Sequence, residues 1–315
     1  MENSTNSLKI LTYNAWGLKI GPFSLAKDYK ERIYSLPTEI YRLNPDIIFL
    51  QEVWKKVDRD YILTELKKRG YVYSFHKSDQ HPKIRKLKKP FQWLNNLLLG
   101  NGLIIISKFK INLLSTKVLT FSNFTANEEF FTRKGAIYCE VNSPKFGNIS
   151  CINTHLGSVD YNPSKRRFHP KQVDTQTKQL KELENFIQSL TKENPLFIGG
   201  DLNIDERNFN YLNWFPTPGK QYVNLLENLK LVDSYRFIHP NEVGKTYASK
   251  NIYNLKSKAP EGRIDYLFHS NLHNRLEPKK SSLVFTSPIR KKNNLIQLSD
   301  HFGILSEYKI IKKGV

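Results

Sequence analysis

The chain has 315 residues, a formal net charge of +20 and only two cysteines. This length allows a sizeable hydrophobic core, and two cysteines exclude both a disulfide scaffold and a cysteine-rich zinc site. No apolar run approaches the ~18 residues that span a bilayer, and the polar N-terminus lacks the basic start and apolar core of a signal peptide.

These features predict cytoplasmic synthesis without a cleaved signal peptide, with export by a signal-independent route left open. The basic charge favours nucleic acid, anionic membrane surfaces or other polyanions as partners, although a lysine-rich proteome would give the same excess. No linker, repeat or low-complexity stretch interrupts the chain, so we expect residues 1–315 to form a single domain.

Short apolar runs alternate with helical patterns through the first half of the chain. "LKILTYNAW" and "PDIIFLQEVW" predict strands, and "AKDYKERIYSLPTEIYRLN" between them predicts a helix in spite of Pro37. In the helical pattern "VDRDYILTELKKRG", Asp58 is the candidate N-cap and Gly70 ends the helix. Strands alternating with helices predict an α/β sheet with helices packed outside it.

The second half repeats this order. "GAIYCEV", "GNISCINTH" and "PLFIGGD" predict strands, as do "RIDYLFH" and "SDHFGILSEYKI" near the end, and "KQVDTQTKQLKELENFIQSL" predicts a helix. If "AIYCEV" and "ISCINTH" pair as a hairpin, Cys139 and Cys151 become cross-strand neighbours. We expect both to be buried free thiols.

Polar side chains occur at the ends of the predicted strands, where a purely structural strand would carry another apolar residue. In "GGDLNID" a turn would explain the pattern by itself, but Asp201 and Asn203 would share one face of an extended segment. The whole set predicts one polar cleft and comprises Asn14, Glu52, His155, Asp201, Asn203, Asp265, Asp300 and His301.

These residue types suit attack on a phosphate ester. Glu52 offers the hard oxygen that Mg²⁺ prefers, and the ion would stabilise negative charge that develops in the transition state. His301 could accept a proton from the attacking water, with Asp265 fixing its tautomer. His155 could stabilise the pentacoordinate phosphorus or protonate the leaving oxygen. Asparagines would donate to phosphate or hold a carboxylate in place.

Taken together, "LTYNAWGL", "PDIIFLQEVW", "NTHLG", "GGDLNID", "RIDYLF" and "SDHFGIL" resemble the endonuclease/exonuclease/phosphatase superfamily, in this order and over nearly the whole chain. Within it, "NAWGL", "QEVW", "GNGLIIISKF", "FFTRKGA" and "HLGSVDYN" are most similar to segments of the neutral sphingomyelinases. The resemblance implies a four-layer α/β sandwich of two packed mixed β-sheets flanked by helices. It also implies Mg²⁺-dependent hydrolysis of sphingomyelin to ceramide and phosphocholine, with Mn²⁺ as a substitute ion.

The resemblance assigns a role to each position. It makes Glu52 the metal ligand, with Asn14 beside it. Asp201 and Asn203 would bind water and phosphate, His155 and His301 would be the catalytic histidines, and Asp265 and Asp300 would support His301. Lys134 would contact the substrate phosphate, the alternative being that it is a solvated surface lysine. Where the family commonly has an arginine three residues before Gln179, this chain has Gln176. The segment "KRRFHPKQ" is also longer and more basic than is expected for the family. Both differences leave open which headgroup is bound and what surrounds the phosphate.

Residues 81–103, "HPKIRKLKKPFQWLNNLLLGNGL", place a basic cluster before an apolar patch. Cations that meet anionic headgroups next to aromatic and aliphatic residues are typical of an interfacial membrane contact, for which Trp93, Leu97 and Leu98 are the candidates. The alternative is that these leucines pack in the core ahead of the "LIIIS" strand.

We therefore expect a Mg²⁺-dependent phosphodiesterase of phospholipid headgroups that contacts the membrane surface transiently, without an obligate protein partner. One alternative is a Mg²⁺-dependent endonuclease acting on DNA or RNA, which the basic charge would serve. Another is a phosphoinositide phosphatase, which would suit the basic "KRRFHPK" and "PIRKK" segments. A binding module without activity would have an eroded cleft, and the cleft residues are all present.

Overall fold

Two six-stranded β-sheets packed face to face form the centre of the protein. The computed structural model describes residues 7–17, 19–20, 23–24, 26–77, 100–124, 132–165, 167–190, 193–207, 218–270, 276–291 and 294–310. Among these residues no helix is both long and apolar enough to cross a membrane.

The strands and helices predicted from the sequence occur in the predicted order, and further elements lie between them. The strands are β1 (Ser7–Asn14), β2 (Lys19–Ile20), β3 (Phe23–Ser24), β4 (Ile47–Gln51), β5 (Tyr73–His76), β6 (Ile104–Ser107), β7 (Lys110–Thr120), β8 (Gly135–Ser143), β9 (Gly147–His155), β10 (Tyr161–Asn162), β11 (Arg167–Phe168), β12 (Leu196–Asp201), β13 (Leu231–Asp233), β14 (Asp265–Ser270), β15 (Leu276–Val284), β16 (Ile289–Lys291), β17 (Asn294–Ile296) and β18 (Gly303–Ile310). The helices are α1 (Tyr29–Leu43), α2 (Lys56–Lys67), α3 (Pro170–Gln188), α4 (Pro218–Leu229) and α5 (Ser234–Ile238).

Both sheets are mixed, and both bring strand ends to the same side of the molecule. The first has the order β15-β18-β1-β4-β6-β5, and the second has the order β13-β14-β12-β9-β8-β7. In the first sheet β1 is parallel to β4, so Asn14 pairs with Gln51. In the second sheet β12 is parallel to β9, so Asp201 pairs with His155. The polar residues that end these strands therefore lie side by side.

Three apolar clusters separate four layers. The cluster between the sheets includes Phe49 and Phe197, both fully buried. A second cluster packs α1 and α2 on the outer face of the first sheet, and a third packs α3 and α4 on the second. Burial of this apolar surface is the main favourable contribution to folding. The predicted four-layer α/β sandwich is confirmed.

The glycine pair of "GGD" allows the sheets and strands to pack closely beneath the site. A Cβ atom on Gly199 would lie 2.2 Å from the ring of Phe49 in the opposite sheet. A Cβ atom on Gly200 would lie 2.1 Å from the carbonyl oxygen of Thr154 on the neighbouring strand. Real side chains do not fit at either distance, so both positions require glycine.

A buried amide pair links the two sheets next to the strand ends. Gln51 donates its Nε2 hydrogen to Asn153 Oδ1 at 2.7 Å. Asn153 in turn donates to the carbonyl oxygens of Leu50 and Ile104, at 2.8 and 2.9 Å. Hydrogen bonds between buried polar groups of this kind fix one arrangement of otherwise apolar faces.

Two local predictions from the sequence have opposite outcomes. The cap prediction for Asp58 is wrong, because α2 begins after Lys55, and Asp58 in its first turn accepts a hydrogen bond from Tyr29 of α1 instead. Cys139 and Cys151 are register partners on β8 and β9, and both are buried free thiols, as predicted.

Candidate active site

Asn14 joins two carboxylates that come from different sheets. Its Nδ2 atom donates to Glu52 Oε1 at 3.0 Å and to Asp201 Oδ2 at 2.9 Å, while its Oδ1 accepts from the Trp16 backbone nitrogen at 2.9 Å. The amide nitrogen of this buried side chain thus binds both carboxylates, and its oxygen binds the main chain. Asn14 fixes the position of the Glu52 carboxylate, and its predicted place at the metal stays a prediction.

The backbone is strained at the loops that carry these side chains. Glu52 and Asn203 have φ values of 60° and 52°, in the left-handed region that side chains rarely adopt. The Glu52 carbonyl oxygen accepts from the Gly17 nitrogen at 3.1 Å, where a Cβ on Gly17 would lie 2.2 Å from the same oxygen. Strain of this kind persists where surrounding contacts impose it, and it concentrates at functional sites.

His155 lies between the carboxylates and Asn203. Its Nε2 atom is 3.2 Å from Asn203 Nδ2, 3.4 Å from Asp201 Oδ2 and 3.9 Å from Glu52 Oε1. Burial, together with the charges of Lys134 and His301, holds the pKa of His155 well below its usual value. The surroundings of His155 therefore disfavour its charged form.

His301 and Asp265 form a buried ion pair. The His301 Nδ1 and Asp265 Oδ2 atoms are 2.8 Å apart, and His301 Nε2 lies 3.9 Å from Asp201 Oδ2. Burial opposes protonation of His301, but the carboxylates of Asp265 and Asp300 outweigh it and raise the pKa of His301 well above its usual value. The geometry leaves Nε2 as the ring nitrogen that faces the cleft.

Asp300 is near His301 in sequence but is bonded elsewhere. Its Oδ1 atom accepts from Ser299 Oγ at 3.1 Å, and its negative charge raises the pKa values of both His301 and Glu52. Asp300 therefore acts on His301 through its negative charge. The direct hydrogen bond to the imidazole is made by Asp265.

Lys134 is a buried member of the site. Its side chain is 6% exposed, and its Nζ atom donates to the Leu156 carbonyl oxygen at 3.1 Å. Its charge lowers the pKa values of Glu52 and Asp201, against the larger effect of burial. The alternative of a solvated surface lysine is wrong.

Two groups of carboxylate and histidine side chains in the site could hold a metal ion. One ligand atom each from Glu52, His155 and Asp201 lie within 4.8 Å of one another, and so do those of Asp201, Asp265 and His301. Burial raises the pKa values of Glu52, Asp201 and Asp300, which means that desolvation disfavours their charged forms. Asp265 Oδ1 is buried with no hydrogen-bond partner among the described residues. Crowded, partly unpaired carboxylate oxygens fit a hard ion such as Mg²⁺.

Three buried glutamines of α3 hold the loop that follows His155. They are spaced at helical intervals on one face: Gln172, Gln176 and Gln179. Gln179 Oε1 accepts from the Gly157 nitrogen at 2.7 Å, and Gln172 Oε1 accepts from the Asp160 nitrogen at 2.7 Å. We call these three residues the glutamine ladder.

Gln176 is the central residue of the glutamine ladder. Its Nε2 atom lies 2.8 Å from the carbonyl oxygen of Gly157, 3.3 Å from that of Leu202 and 3.0 Å from that of Asn203. It therefore ties the loop after His155 to the loop that carries Asn203. At the position where the resembling family commonly has an arginine, this neutral amide binds only main-chain oxygens of the two loops.

Arg32 of α1 binds main-chain oxygens of two other loops of the site. It is 1% exposed, and its guanidinium donates to the carbonyl oxygens of Lys27, Ala15, Trp16 and Leu298 at 2.8 to 3.1 Å. The first loop follows Asn14, and the last precedes His301. The guanidinium also lies 4.6 Å from the ring centroid of Trp16.

The structure brings together all predicted site residues that it describes: Asn14, Glu52, Lys134, His155, Asp201, Asn203, Asp265, Asp300 and His301. Their individual roles stay predictions. Trp93, Leu97 and Leu98, and residues 81–99 as a whole, lie outside the described residues. Reasoning from strand ends missed Arg32 and the role of Gln176, which lie on the buried faces of helices; Gln176 stood out in the sequence only as a departure from the family's arginine. The sequence signal for the second was the glutamine spacing within an otherwise amphipathic helix.

Comparison with known proteins gives a consistent family. The model of the Endonuclease/Exonuclease/phosphatase family matches residues 11–301. The chain is 23% identical to an inositol phosphosphingolipids phospholipase C of Schizosaccharomyces pombe, covering 94% of this chain and 67% of that protein. It is 24% identical to a putative neutral sphingomyelinase of Drosophila melanogaster, covering 97% of this chain and 61% of that protein.

Solved structures share the fold. A crystal structure of beta toxin 275-280 from Staphylococcus aureus superposes with a TM-score of 0.68 at 19% identity, covering 95% of this chain and 99% of that one. At this identity the likeness concerns the fold. The arrangement of two sheets that creates the cleft is thus shared with a known protein structure.

Proposed function

The chain belongs to the endonuclease/exonuclease/phosphatase family and is a hydrolase of phosphate esters of the sphingomyelinase type; from that premise we propose that it is a Mg²⁺-dependent phosphodiesterase that cleaves sphingomyelin to ceramide and phosphocholine. The observation that carries the proposal is the convergence of Glu52, Asp201 and two histidines from both sheets on one cleft. The two curated relatives supply the substrate class, a sphingolipid with a phosphodiester headgroup.

Glu52 would hold the ion, with Asn14 fixing its carboxylate. When bound, Mg²⁺ would neutralise phosphate charge and stabilise the charge that develops on phosphorus oxygens. Mn²⁺, which also prefers oxygen ligands, would substitute for it. The chain supplies a compact acidic site with few ligands, which is the way that Mg²⁺ is usually bound.

In its neutral form His301 would take the proton of the attacking water at Nε2, while Asp265 fixes the ring through Nδ1. A cation bound among the carboxylates would favour that neutral form, because it would offset the negative charges that raise the pKa of His301. Asp201, 3.9 Å from His301 Nε2, would orient that water. Asn203 and Lys134 would donate to the phosphate oxygens. His155 would either stabilise the reacting phosphoryl group by hydrogen bonding or protonate the leaving oxygen.

Access to lipid requires contact with a membrane surface. Residues 101–103 at the end of the predicted contact segment 81–103 are buried, and Leu103 packs between the sheets, so they do not contribute to that contact. We propose that the preceding part of the segment, and within it Trp93, Leu97 and Leu98, contacts the membrane transiently, which would make this a peripheral membrane protein. Basic residues before an apolar, tryptophan-containing patch support this role. The name of the Schizosaccharomyces pombe relative gives inositol phosphosphingolipids as its substrate. A sphingolipid with a negatively charged headgroup is therefore a variant of the proposed substrate.

The second candidate function is a Mg²⁺-dependent nuclease. The net charge of +20 favours it, because basic side chains bind a phosphate backbone without sequence preference. Its binding would weaken steeply with salt, whereas a lipid site with apolar contacts would retain part of its affinity.

A panel of substrates tests the proposal. Purified protein is incubated with Mg²⁺ and vesicles of sphingomyelin, phosphatidylcholine, an inositol phosphosphingolipid or a phosphoinositide, and with supercoiled plasmid. His301→Ala is the control for contaminating activity. Phosphocholine release from sphingomyelin that is lost in the variant is the expected result. Plasmid nicking without lipid turnover would instead establish the nuclease.

A further inference from the structure

A small β-hairpin between β9 and α3 borders an open pocket. The hairpin consists of β10 and β11, in which Tyr161 pairs with Phe168. The pocket has a volume of about 520 Å³, and its lining includes Asp160, Tyr161, Lys165, Phe168 and His169. This volume lies within the range of pockets that bind small ligands. We call this space the hairpin pocket.

The glutamine ladder places the hairpin pocket about one helical turn from Asn203. Gln176 donates to the Asn203 carbonyl oxygen at 3.0 Å, and Gln172 donates to Asp160 Oδ2 at 2.8 Å. The two glutamines are four residues apart on α3, which corresponds to a rise of about 6 Å along the helix. A phosphate bound at Asn203 would therefore direct a short substituent into the pocket.

Asp160 is held in one orientation at the wall of the hairpin pocket. Gln172 is 6% exposed, and its Oε1 atom accepts from the Asp160 backbone nitrogen at 2.7 Å while its Nε2 atom binds the carboxylate. The Asp160 carbonyl oxygen accepts from the His169 nitrogen at 3.0 Å, which closes the hairpin. Because Gln172 is neutral, its hydrogen bond orients the carboxylate without offsetting its negative charge.

Two aromatic rings line the pocket next to this carboxylate. The ring centroids of Tyr161 and Phe168 are 5.3 Å apart, and their planes meet at 66°. Both side chains are half-buried, so each ring keeps part of its surface on the pocket wall. Aromatic faces attract cations, and proteins use them to recognise quaternary ammonium groups. Rings beside a carboxylate therefore suit a bulky cation that donates no hydrogen bonds.

An anionic headgroup fits the same pocket less well. Lys165 also lines the pocket and would attract an anion, but its side chain is exposed and can extend into water. Asp160 would repel an anion, and the negative faces of the two rings would contribute little to its binding. The observations therefore favour a cation as the occupant.

We propose that the hairpin pocket binds the quaternary ammonium group of choline and so selects phosphocholine esters over esters with an anionic headgroup. The link of choline between phosphorus and the ammonium nitrogen is short, comparable to one turn of a helix. This inference rests on the proposed function, because the phosphate of the same substrate would lie at Asn203. Asp160, Tyr161 and Phe168 determine the headgroup, while the hydrolytic centre acts on the phosphate.

Saturation-transfer NMR with tetramethylammonium tests the proposal without turnover, because this ion carries no phosphate. The dissociation constant is measured for the unaltered protein and for three variants. Asp160→Asn removes the charge and keeps an acceptor for Gln172, Tyr161→Leu removes a ring, and Lys165→Gln removes the cation of the pocket. Thermal unfolding midpoints show whether each variant is folded.

Two substitutions outside the pocket are the matched controls. Asp174→Asn removes an exposed acid of α3 that is paired with Lys178. Tyr34→Leu breaks an edge-to-face pair with Tyr61 on the outer helices α1 and α2, where the ring centroids are 4.5 Å apart. The first matches the change of charge, and the second matches the loss of an exposed aromatic ring.

Affinity for tetramethylammonium should fall about tenfold in Asp160→Asn and in Tyr161→Leu. It should be kept or increased in Lys165→Gln and unaltered in both controls. Unaltered affinity in both Asp160→Asn and Tyr161→Leu would overturn the proposal, and so would an equal loss in the controls. Binding of myo-inositol 1-phosphate that is lost in Lys165→Gln would assign the pocket to an anionic headgroup instead.

Turnover separates this proposal from the proposed function. The ratio of kcat/KM for sphingomyelin to that for bis(p-nitrophenyl) phosphate, a diester without an ammonium group, should fall about tenfold in Asp160→Asn. If sphingomyelin is not cleaved while tetramethylammonium binding still depends on Asp160 and Tyr161, the proposed substrate fails and the ammonium site stands. If sphingomyelin is cleaved and both variants keep the unaltered ratio, the ammonium site fails.

Discussion

Asn14 and Asp201 are hydrogen-bonded across the two sheets, with 2.9 Å between Asn14 Nδ2 and Asp201 Oδ2. Asn14 ends a strand of the first sheet and Asp201 ends a strand of the second. The same amide nitrogen binds Glu52, so one side chain sets the distance between two carboxylates of the site. The cleft is therefore a property of how the sheets pack, and each sheet contributes half of it.

Replacing Asn14 with Ala should remove both hydrogen bonds and leave the carboxylates unpaired. We expect the free energy of unfolding to fall by about 1–3 kcal/mol and kcat on a soluble phosphodiester to fall by about 100-fold or more. Urea unfolding and steady-state kinetics measure the two effects. Asn112→Ala, which removes a 3.3 Å bond to Glu140 on the surface, is the control and should change neither. Unaltered turnover in Asn14→Ala would contradict the role of this bridge.

Glu52→Gln should stabilise the metal-free protein and abolish its response to Mg²⁺. Burial and the charge of Asp300 raise the pKa of Glu52, which shows that its ionised form is unfavourable in the absence of an ion. A neutral amide of the same shape relieves this cost. At about 100 times its Kd, Mg²⁺ should stabilise the unaltered protein by about 2.7 kcal/mol.

Thermal unfolding with and without Mg²⁺ or a chelator measures both effects. A Mg²⁺-induced rise of the midpoint that is the same in Glu52→Gln and the unaltered protein would show that the ion binds elsewhere. Glu277→Gln, on β15 and paired with Lys309, is the matched substitution and should leave the response intact.

Gln176→Leu should loosen the loops that carry His155 and Asn203. The substitution leaves two buried carbonyl oxygens and one partly buried one without this donor, which costs about 1–3 kcal/mol of stability. Because the loops lose their tie, kcat should fall with little change in KM. Gln188→Leu, at the exposed end of the same helix, is the control. Equal kinetics in both variants would limit the glutamine ladder to a structural role.

His269 should make the protein sensitive to acid. Burial holds its pKa at about 4, below the usual 6.5, against a smaller opposite effect of Asp233. Between about pH 6.5 and 4 the unfolded state binds the extra proton, so stability falls as the pH is lowered, by about 1.4 kcal/mol per unit. His269→Gln should flatten that slope in urea unfolding at a series of pH values. A slope that His269→Gln leaves unaltered would assign the acid sensitivity to other groups.

The sequence predicted the parts of the site that end apolar runs. Glu52 comes directly after β4, and His155 and Asp201 are the last residues of β9 and β12. Each of these strands carries buried apolar residues, so the change to a charged or imidazole side chain at its end is visible in the sequence. The resemblance to a family then placed them in a common cleft. Fold and family were therefore both accessible without coordinates.

The supporting residues could not be predicted in the same way. Arg32 binds a carbonyl oxygen 266 positions away, and polar residues on a helix usually face solvent. Asp58 showed the same difficulty, because a tertiary contact with Tyr29 replaced its expected capping role. Contacts between a side chain and distant main-chain atoms leave no periodic signal.

The most direct test of the proposed reaction follows the oxygen of water. Sphingomyelin vesicles are incubated with Mg²⁺ and the unaltered protein or His301→Ala in water enriched in oxygen-18. In-line attack on phosphorus predicts phosphocholine that carries one labelled oxygen and ceramide that carries none, with both products lost in His301→Ala. Absence of phosphocholine, or a label in the ceramide hydroxyl, would contradict a sphingomyelin phosphodiesterase of this mechanism.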